Sequence, residues 1–343
     1  ASDFLQGIVM FIALIVVLAG SLIAIAGVEN VAVFIQSVPG FGSLVQSATP
    51  LTLEVAQADG SVLATQQIDP ASGSPLWDEP GDYGFLVILS TLAWGLGYFG
   101  MPQVLLRFMA IRKSAEIKSA RRIATTWCVI SLGAAVCIGL VGRALMPDAL
   151  LTAGEAEGIF IMLATMLLPA FIAGIMLSGI FAATMSSADS YMLIASSAIA
   201  QNLFKGLLKR DATEKQVMWM SRITMSALLL FGIFIAADES SSIFRVVSYA
   251  WAGFGATFGP LRLMSLFWRS TNLPGALAGM VCGGATVFIW HELIKPFGGI
   301  WAIYELLPAF IVSLIAIVVV SLLTRPPSEA ITREFDTYQQ LEV

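Results

Sequence analysis

Small polar residues recur at helical spacing in the segment FAATMSSADSYML, residues 181–193. Ala183, Ser186, Ser187 and Ser190 follow the i, i+3, i+4, i+7 order that places residues on one helical face. Hydroxyl and carbonyl oxygens are the ligands that hard cations prefer, and the small alanine leaves its own carbonyl accessible. This face could therefore bind an alkali cation. Helix packing is the alternative interpretation, because small and hydroxylated residues are enriched where transmembrane helices touch.

Two carboxylates stand in apolar surroundings. Asp189 lies inside the same segment, and Asp3 opens directly into the first apolar run. A carboxylate at the centre of a bilayer costs roughly 3 kcal/mol or more, so such residues usually face a cavity or a partner. Both are therefore candidate cation-linked residues. The competing interpretations are that Asp189 lies near the cytoplasmic end of a long helix, and that Asp3 meets water at the chain end.

The segment WGLGYFGMP, residues 94–102, interrupts an apolar stretch with three glycines and a proline. Non-helical backbone at membrane depth persists only where it is buried in protein or lines a wet cavity. A helix broken there can offer carbonyl and amide groups to an ion and a small solute. Trp94 and Tyr98 lie four residues apart and would form one aromatic wall. A merely kinked helix is the alternative, because glycine and proline are common in transmembrane helices.

A third segment, VSYAWAGFGATFGP at residues 247–260, combines aromatic residues with glycines and a proline. Tyr249, Trp251 and Pro260 are the residues that a flexible gating helix would use, and close helix packing is the alternative. Arg262 follows two residues after the proline. We expect its side chain to extend towards the cytoplasmic surface while its aliphatic part stays in the membrane.

The elements that position these residues are membrane helices. Of the 343 residues, 57% are hydrophobic and 12% are charged, whereas soluble domains carry about 25% charged residues. Runs of about 20 apolar residues are long enough to cross the hydrocarbon core. We predict an all-α polytopic membrane protein with eight spans, at residues 4–27, 85–110, 123–146, 168–204, 217–237, 243–267, 274–293 and 303–324.

Basic residues are distributed unevenly along the chain. Six lie between residues 107 and 122, five lie between 205 and 222, and the loop 28–83 has none. Positive charge favours the cytoplasmic side of short loops. We therefore expect the loop 28–83 outside, and both chain ends, including the tail 325–343, in the cytoplasm.

Two connections on the outer side carry local structure signals. Within LTLEVAQADGSVLATQQI, residues 51–68, an Asp-Gly pair between alternating runs predicts a β-hairpin. The outer loop 28–83 that contains this hairpin could be a binding subdomain or a variable surface insertion. Residues 158–170 predict a short separate helix before the long helix 168–204.

Other chemistry has little support. Three cysteines lie in predicted spans and the chain has a single histidine, His291, which excludes a disulfide framework and the common zinc spacings. We expect no enzyme activity, no cofactor and no nucleic-acid partner. The expected partners are a lipid bilayer, a sodium ion and a small solute.

Three stretches in this order resemble the sodium/solute symporter family: WGLGYFGMPQVLLRFMA, FAATMSSADSYMLIASSAIAQNLF and SYAWAGFGATFGPLRLMSLFW. The resemblance implies a leucine-transporter-type fold of two inverted five-helix repeats. Span 4–27 would be the last helix of the first repeat. Spans 85–110 to 243–267 would form the second repeat, and the last two spans would be additional helices.

The resemblance also implies roles for particular residues. Ala183, Ser186 and Ser187 match sodium ligands, through one carbonyl and two hydroxyls, and Asp3 matches an acidic residue linked to sodium-coupled function. Substrate-binding positions match Trp94, Tyr98 and Pro102.

The activity that the resemblance implies is sodium-driven import of a small solute in a bacterial inner membrane, with L-proline as the first candidate. Pantothenate, a sugar or a carboxylate is the alternative substrate. The chain could instead be a transporter-like sensory module or an inactive fragment. The leading helices of the first repeat are expected upstream, since they would supply the remaining sodium ligands and half of the substrate site.

Overall fold

The computed structural model describes residues 2–43, 45–56, 62–147, 151, 156–237 and 243–340. Helices dominate this part of the chain, which confirms the all-α class. Six helical segments in it are long and apolar enough to cross a membrane: Phe4–Ala24, Ser114–Leu145, Ala170–Leu208, Glu214–Ala236, Leu273–Phe297 and Leu306–Leu323.

The helices run in chain order as α1 (Ser2–Ala24), α2 (Val28–Ser37), α3 (Phe85–Gly97), α4 (Pro102–Met109), α5 (Ile117–Leu145), α6 (Ile159–Leu167), α7 (Ala170–Ser197), α8 (Glu214–Ala236), α9 (Ile243–Phe267), α10 (Leu273–Ile289), α11 (Leu306–Leu323) and α12 (Glu329–Gln340). A π-helical stretch, Ala198–Leu208, extends α7. The strands are β1 (Gln46–Ser47), β2 (Thr52–Ala56), β3 (Val62–Gln66) and β4 (Gly81–Asp82).

These bounds bear on two of the predicted elements. The stretch 85–110 is two helices, α3 and α4, separated by four residues outside both helices, so the break is confirmed. The short helix expected within 158–170 is α6. The eight-span assignment and its sidedness stay predictions.

The chain divides into two compact units. The first comprises Ala1–Ser43, Ser47–Gly81 and Arg121–Ser242, and the second comprises Leu44–Gln46, Asp82–Ala120 and Ile243–Val343. The long helices α1, α7 and α8 belong to the first unit. The broken pair α3 and α4 belongs to the second, together with α9, α10, α11 and α12.

The core of the first unit forms where α1 meets α5, α6 and α7. Ala13 and Val17 of α1, Ile138 of α5, Leu163 of α6 and Met176 of α7 are buried together. A Cβ on Gly179 of α7 would lie 2.9 Å from Cβ of Ala13, so small residues let α1 and α7 approach closely, as expected between transmembrane helices.

The predicted hairpin is confirmed in its strands. β2 and β3 pair antiparallel, with Thr52 opposite Gln66, and the Asp-Gly turn lies outside the described residues. The Arg143 guanidinium of α5 donates to Oε1 of the buried Gln66 side chain and lies 5.7 Å from the Trp77 ring centroid. A single arginine therefore attaches the hairpin to the end of a long helix.

The core of the second unit lies between α9, α10 and α11. Ala252 and Ala256 of α9, Val287 of α10, and Leu306 and Phe310 of α11 are buried together. Apolar side chains from three helices thus form the scaffold against which the broken helix packs.

A buried amide joins the start of α10 to the end of α11. Asn272 is 5% exposed, and its Oδ1 accepts from the backbone N–H of Gly275, which caps α10. Its Nδ2 donates to Thr324 Oγ1 and to the carbonyl of Arg325, each at 2.8 Å. One side chain therefore fixes the register of two neighbouring helices.

The last helix, α12, is held by an ion pair near its end. Arg269 donates to both carboxylate oxygens of Asp336 at 2.8 Å, and Gln339 donates to the carbonyl of Leu266 at 3.2 Å. A bidentate arginine–carboxylate pair has a well-defined geometry, so α12 is fixed beside the end of α9.

Acidification is expected to release α12. The hydrogen bonds from Arg269 lower the pKa of Asp336 below its ordinary value of 3.8. The stabilisation is therefore present above that ordinary value and is lost as pH falls through the lowered pKa. A spin label on α12 of the purified protein should gain mobility in that range, and Asp336→Asn should gain it at neutral pH. Glu334→Gln, an exposed carboxyl change on α12, should behave as wild type, and equal mobility in both variants would contradict the prediction.

Candidate functional site

The break between α3 and α4 has a local cause in the chain. Pro102 is the first residue of α4, where its missing N–H costs no hydrogen bond. Met101 before it is extended, with φ −75° and ψ 120°, as the residue preceding a proline prefers. The interruption leaves backbone carbonyls around it with acceptor capacity that a continuous helix would have used.

Side chains from α9 bind these carbonyls. Trp251 Nε1 donates to the carbonyl of Trp94 at 3.0 Å. Arg262 Nη1 donates to the carbonyl of Phe99 at 2.9 Å and to that of Met101 at 3.3 Å. Arg262 therefore has hydrogen-bond acceptors within the protein, and its extension towards the cytoplasmic surface stays a prediction. Carbonyls at membrane depth need a donor, and this guanidinium supplies one.

Two glycines allow the break to lie against α9. A Cβ on Gly97 would overlap the indole of Trp251, and a Cβ on Gly100 would lie 2.5 Å from Gly255 Cα. Both glycines are buried. Any larger residue at either position would separate the carbonyls of the break from the α9 side chains that bind them.

Five aromatic rings gather where α3, α9 and the start of α11 meet. Trp94 stacks with Phe244 at 5.3 Å, with Trp251 at 5.5 Å and with Tyr304 at 6.0 Å, and Tyr98 meets Trp251 edge-on at 4.8 Å. We call Trp94, Tyr98, Phe244, Trp251 and Tyr304 the aromatic cluster. The predicted pair Trp94 and Tyr98 does share a surface, and Tyr98 is 53% exposed.

The other two residues predicted for gating lie elsewhere on α9. Tyr249 packs against Phe288 and the ring of His291. Pro260 is buried inside the helix, where it cannot donate to the carbonyl four residues earlier and so permits a bend. A gating role for Tyr249, Trp251 and Pro260 stays a prediction.

The predicted cation ligands lie on α7, in the first unit. Ala183 and Ser186 are half-buried and Ser187 is exposed, and Ser190 Oγ donates to the carbonyl of Ser186 at 3.1 Å. Two hydroxyls and one carbonyl on a continuous helix form an incomplete ligand set. Their role as sodium ligands stays a prediction.

The roles of the two acidic candidates as cation-linked residues stay predictions. Asp189 is exposed on α7. Asp3 lies in the first turn of α1, and its side chain lies outside the described part of the chain.

Surface grooves do not coincide with the predicted binding residues. A groove of about 450 Å³ lies between Phe204 and Trp219 in the first unit. Another of about 290 Å³ in the second unit is lined by Tyr249, Phe254 and Phe288. Trp94, Tyr98, Pro102 and the α7 serines line neither of these two grooves, so the predicted substrate positions rest on the break and the aromatic cluster.

Comparison of the sequence with known proteins identifies the family. The sequence profile of the Sodium:solute symporter family matches residues 1–283, which include the helix break, the α7 serines and most of α9 and α10. The chain belongs to the sodium:solute symporter family. The resemblance of the three motifs is thus confirmed, and with six spanning-length helices the chain is a multi-pass membrane protein of a transporter family.

Relatives within this family are bacterial transporters. The High-affinity proline transporter PutP of Bacillus subtilis (strain 168) is 38% identical over 307 residues, 89% of this chain and 63% of that protein. The Sodium/proline symporter of Escherichia coli (strain K12) is 44% identical over 255 residues, 73% of this chain and 50% of that protein. The Osmoregulated proline transporter OpuE of Bacillus subtilis is 35% identical over 342 residues, 99% of this chain and 62% of that protein. The chain thus spans 50–63% of the length of these symporter-family relatives.

Sequence reasoning missed two members of the aromatic cluster and both α9 side chains that bind the break. Phe244 and Tyr304 stand far along the chain from Trp94 and follow no motif that points to it. Arg262 carried a usable signal: a charged residue in an apolar run, two residues after a proline, needs acceptors, and a broken helix in the same symporter-family chain offers them.

Proposed function

We propose that the full-length protein is a sodium-coupled symporter that imports a small solute, L-proline first among the candidates, by alternating access. The observation that carries this is the exposed face of the aromatic cluster beside a broken membrane helix, in a chain of the sodium:solute symporter family. The relatives named for proline transport support the choice of substrate.

The chemistry of the aromatic cluster suits a small amphipathic ammonium compound. Tryptophan and tyrosine faces attract a cation, and the attraction is worth roughly 1–2 kcal/mol where water is excluded. The same faces pack against an aliphatic ring. Proline combines a ring with a secondary ammonium. Tyr98, which is 53% exposed, presents a surface for both beside Trp94, whose own ring stacks on other members of the aromatic cluster.

The carboxylate of such a substrate needs donors from outside the aromatic cluster. The carbonyls of the break accept and cannot donate, and Arg262 already donates to two of them. We infer that other elements of the full-length protein supply the carboxylate partner.

For the sodium ion, we propose ligands from the α7 face: the carbonyl of Ala183 and the hydroxyls of Ser186 and Ser187. Hard cations take about six oxygen ligands in proteins, so further elements must complete the shell. Each positive charge moved inward gains about 2.3 kcal/mol per 100 mV of membrane potential, which is enough to drive accumulation of a neutral zwitterion.

We further propose a leucine-transporter-type inverted repeat, placement in the bacterial cell membrane and cytoplasmic chain ends. The basic connections after α4 and after α7 support this sidedness.

Uptake of labelled proline tests the proposal. Full-length protein in proteoliposomes should take up proline only with a sodium gradient. Ser187→Ala should raise the sodium concentration needed for half-maximal uptake by about tenfold, since a ligand is worth roughly 1.4 kcal/mol in such a shift. Trp94→Ala should raise KM for proline by a similar factor with the sodium dependence unchanged.

Matched changes sharpen this test. Ser178→Ala removes a hydroxyl that donates to the carbonyl of Ile175 on the same helix α7, and it should transport as wild type does. Sodium-dependent uptake of pantothenate, a sugar or a carboxylate, with none of proline, would contradict proline as the substrate and would still support a sodium-coupled symporter. Normal insertion with no uptake of any of these would favour a sensory or inactive protein.

A further inference from the structure

Among the described residues, Glu305 is the only buried charged side chain, with 1% of the residue exposed. It precedes α11 and lies on the core of the second unit, beside Leu306. A carboxylate removed from water is costly unless it is paired and hydrogen-bonded. The partners of Glu305 therefore indicate which parts of the fold this carboxylate holds together.

Both partners of Glu305 come from the turns that follow α10. Lys295 Nζ lies 2.8 Å from Oε2, and His291 Nδ1 lies 3.2 Å from Oε1. A carboxylate oxygen can only accept, so both nitrogens donate to it. The two partner side chains are about one third exposed, at 35% and 32%. The carboxylate thus attaches the whole connection between α10 and α11 to the start of α11.

The residue next to Glu305 belongs to the aromatic cluster. The backbone N–H of Tyr304 donates to Ser90 Oγ on α3 at 3.0 Å, and its hydroxyl donates to the carbonyl of Ser248 on α9 at 2.6 Å. The ring stacks on Trp94 at 16° between planes. Tyr304 therefore joins α3, α9 and α11 beside the residue proposed to contact the substrate.

A second contact links the same anchor to α9. The ring of His291 lies 4.6 Å from the ring of Tyr249, one of the residues predicted for gating. Loosening the carboxylate would therefore affect Tyr304 of the aromatic cluster and, through His291, Tyr249 on α9.

We propose that Glu305 is a positioning residue for substrate binding: paired with Lys295 and His291, it holds the Tyr304 ring against Trp94. Glu305 touches neither substrate nor sodium in this proposal, and it acts through the aromatic cluster. The inference rests on the proposed function for the transported solute and for its binding at the aromatic cluster.

Transport kinetics of the full-length protein test this assignment. Glu305→Gln should raise KM for proline on the order of tenfold, because a displaced ring costs binding and not turnover. Maximal uptake per inserted molecule should change by less than about twofold. Glu292→Gln is the matched control, because Glu292 lies in the same turn, 4.0 Å from His291, but its side chain is 67% exposed. It should leave KM unchanged.

A double substitution tests whether the charge pair between Lys295 and Glu305 matters, and not only the loss of one side chain. Removing one member of a buried pair leaves the other charge uncompensated, whereas removing both does not. In Lys295→Gln alone the uncompensated charge is the buried Glu305 carboxylate, so adding Glu305→Gln should bring KM closer to wild type than Lys295→Gln alone. A double variant that is worse than both single variants would overturn the pairing argument.

A measurement that does not depend on transport distinguishes a failure of the Glu305 proposal from a failure of the proposed function. Hydrogen exchange over residues 85–97 and 303–309 of the purified protein should quicken in Glu305→Gln but not in Glu292→Gln. If wild type neither binds nor transports proline, the proposed function fails, and quickened exchange still supports the anchor. If wild type transports proline while Glu305→Gln keeps both its KM and its exchange, the anchor is overturned and the symporter stands.

Discussion

Gly100→Ala is expected to unfold the second unit at a markedly lower temperature and to abolish substrate binding. The new Cβ would lie 2.5 Å from Gly255 Cα and closer still to the carbonyl oxygen of Phe254. These are backbone atoms of α9, so no side-chain rotation can relieve the overlap. Overpacking of this kind typically costs on the order of 2–3 kcal/mol. Thermal unfolding of the purified full-length protein, followed by fluorescence, measures the effect.

The same broken helix offers a matched control for Gly100→Ala. Gly95 is exposed on α3, and a Cβ there would meet nothing within 4 Å. Alanine is a better helix former than glycine by up to about 1 kcal/mol, so Gly95→Ala should unfold at the wild-type temperature or slightly above it. Equal unfolding temperatures for Gly95→Ala and Gly100→Ala would show that the close approach of the break to α9 does not exist.

Arg262→Gln is expected to weaken proline binding strongly while the protein still inserts in the membrane. The guanidinium donates to the carbonyls of Phe99 and Met101, and hydrogen bonds from a charged donor contribute about 1.5–3 kcal/mol. Without this donor the break must rearrange to find another one. Misplaced binding groups should reduce the affinity for proline on the order of tenfold to a hundredfold. Equilibrium binding of labelled proline measures this change.

Two further variants define what Arg262 contributes. Arg262→Lys keeps the charge but replaces the planar fork with a point charge, so it should recover binding only in part. Arg245→Gln removes an exposed arginine near the start of the same helix and should bind as wild type does. If Arg262→Gln and Arg245→Gln bind proline equally well, the carbonyls of the break do not need this donor.

The helix break could be predicted because its cause is local. Glycines at 95, 97 and 100 and the proline at 102 weaken any helix that contains them, and lipid does not tolerate such backbone unless protein or water satisfies it. The hairpin strands and the short helix before α7 were predictable for similar reasons. Each depends on turn chemistry or apolar spacing over fewer than about twenty residues.

The partners of the break could not be predicted in the same way. Trp251 and Arg262 reach carbonyls that lie 157 and 163 residues earlier in the chain, and no periodic pattern reports which helix will pack against which. Arg262 was predicted to reach the membrane surface because that is the usual behaviour of a lone arginine in an apolar run. The broken helix offers carbonyl acceptors within its reach, and the hydrogen bonds satisfy both groups.

By itself, the sequence determined the helical membrane class, a break within residues 94–102, the serine face of α7 and, through three ordered motifs, the symporter family. These features follow from composition, helical spacing and local backbone preferences. Only the tertiary structure decided which side chains satisfy the break, how Phe244 and Tyr304 complete the aromatic cluster, and why Glu305 is buried. Each of these depends on a hydrogen bond or ring contact between helices, and such contacts form only when distant segments pack together.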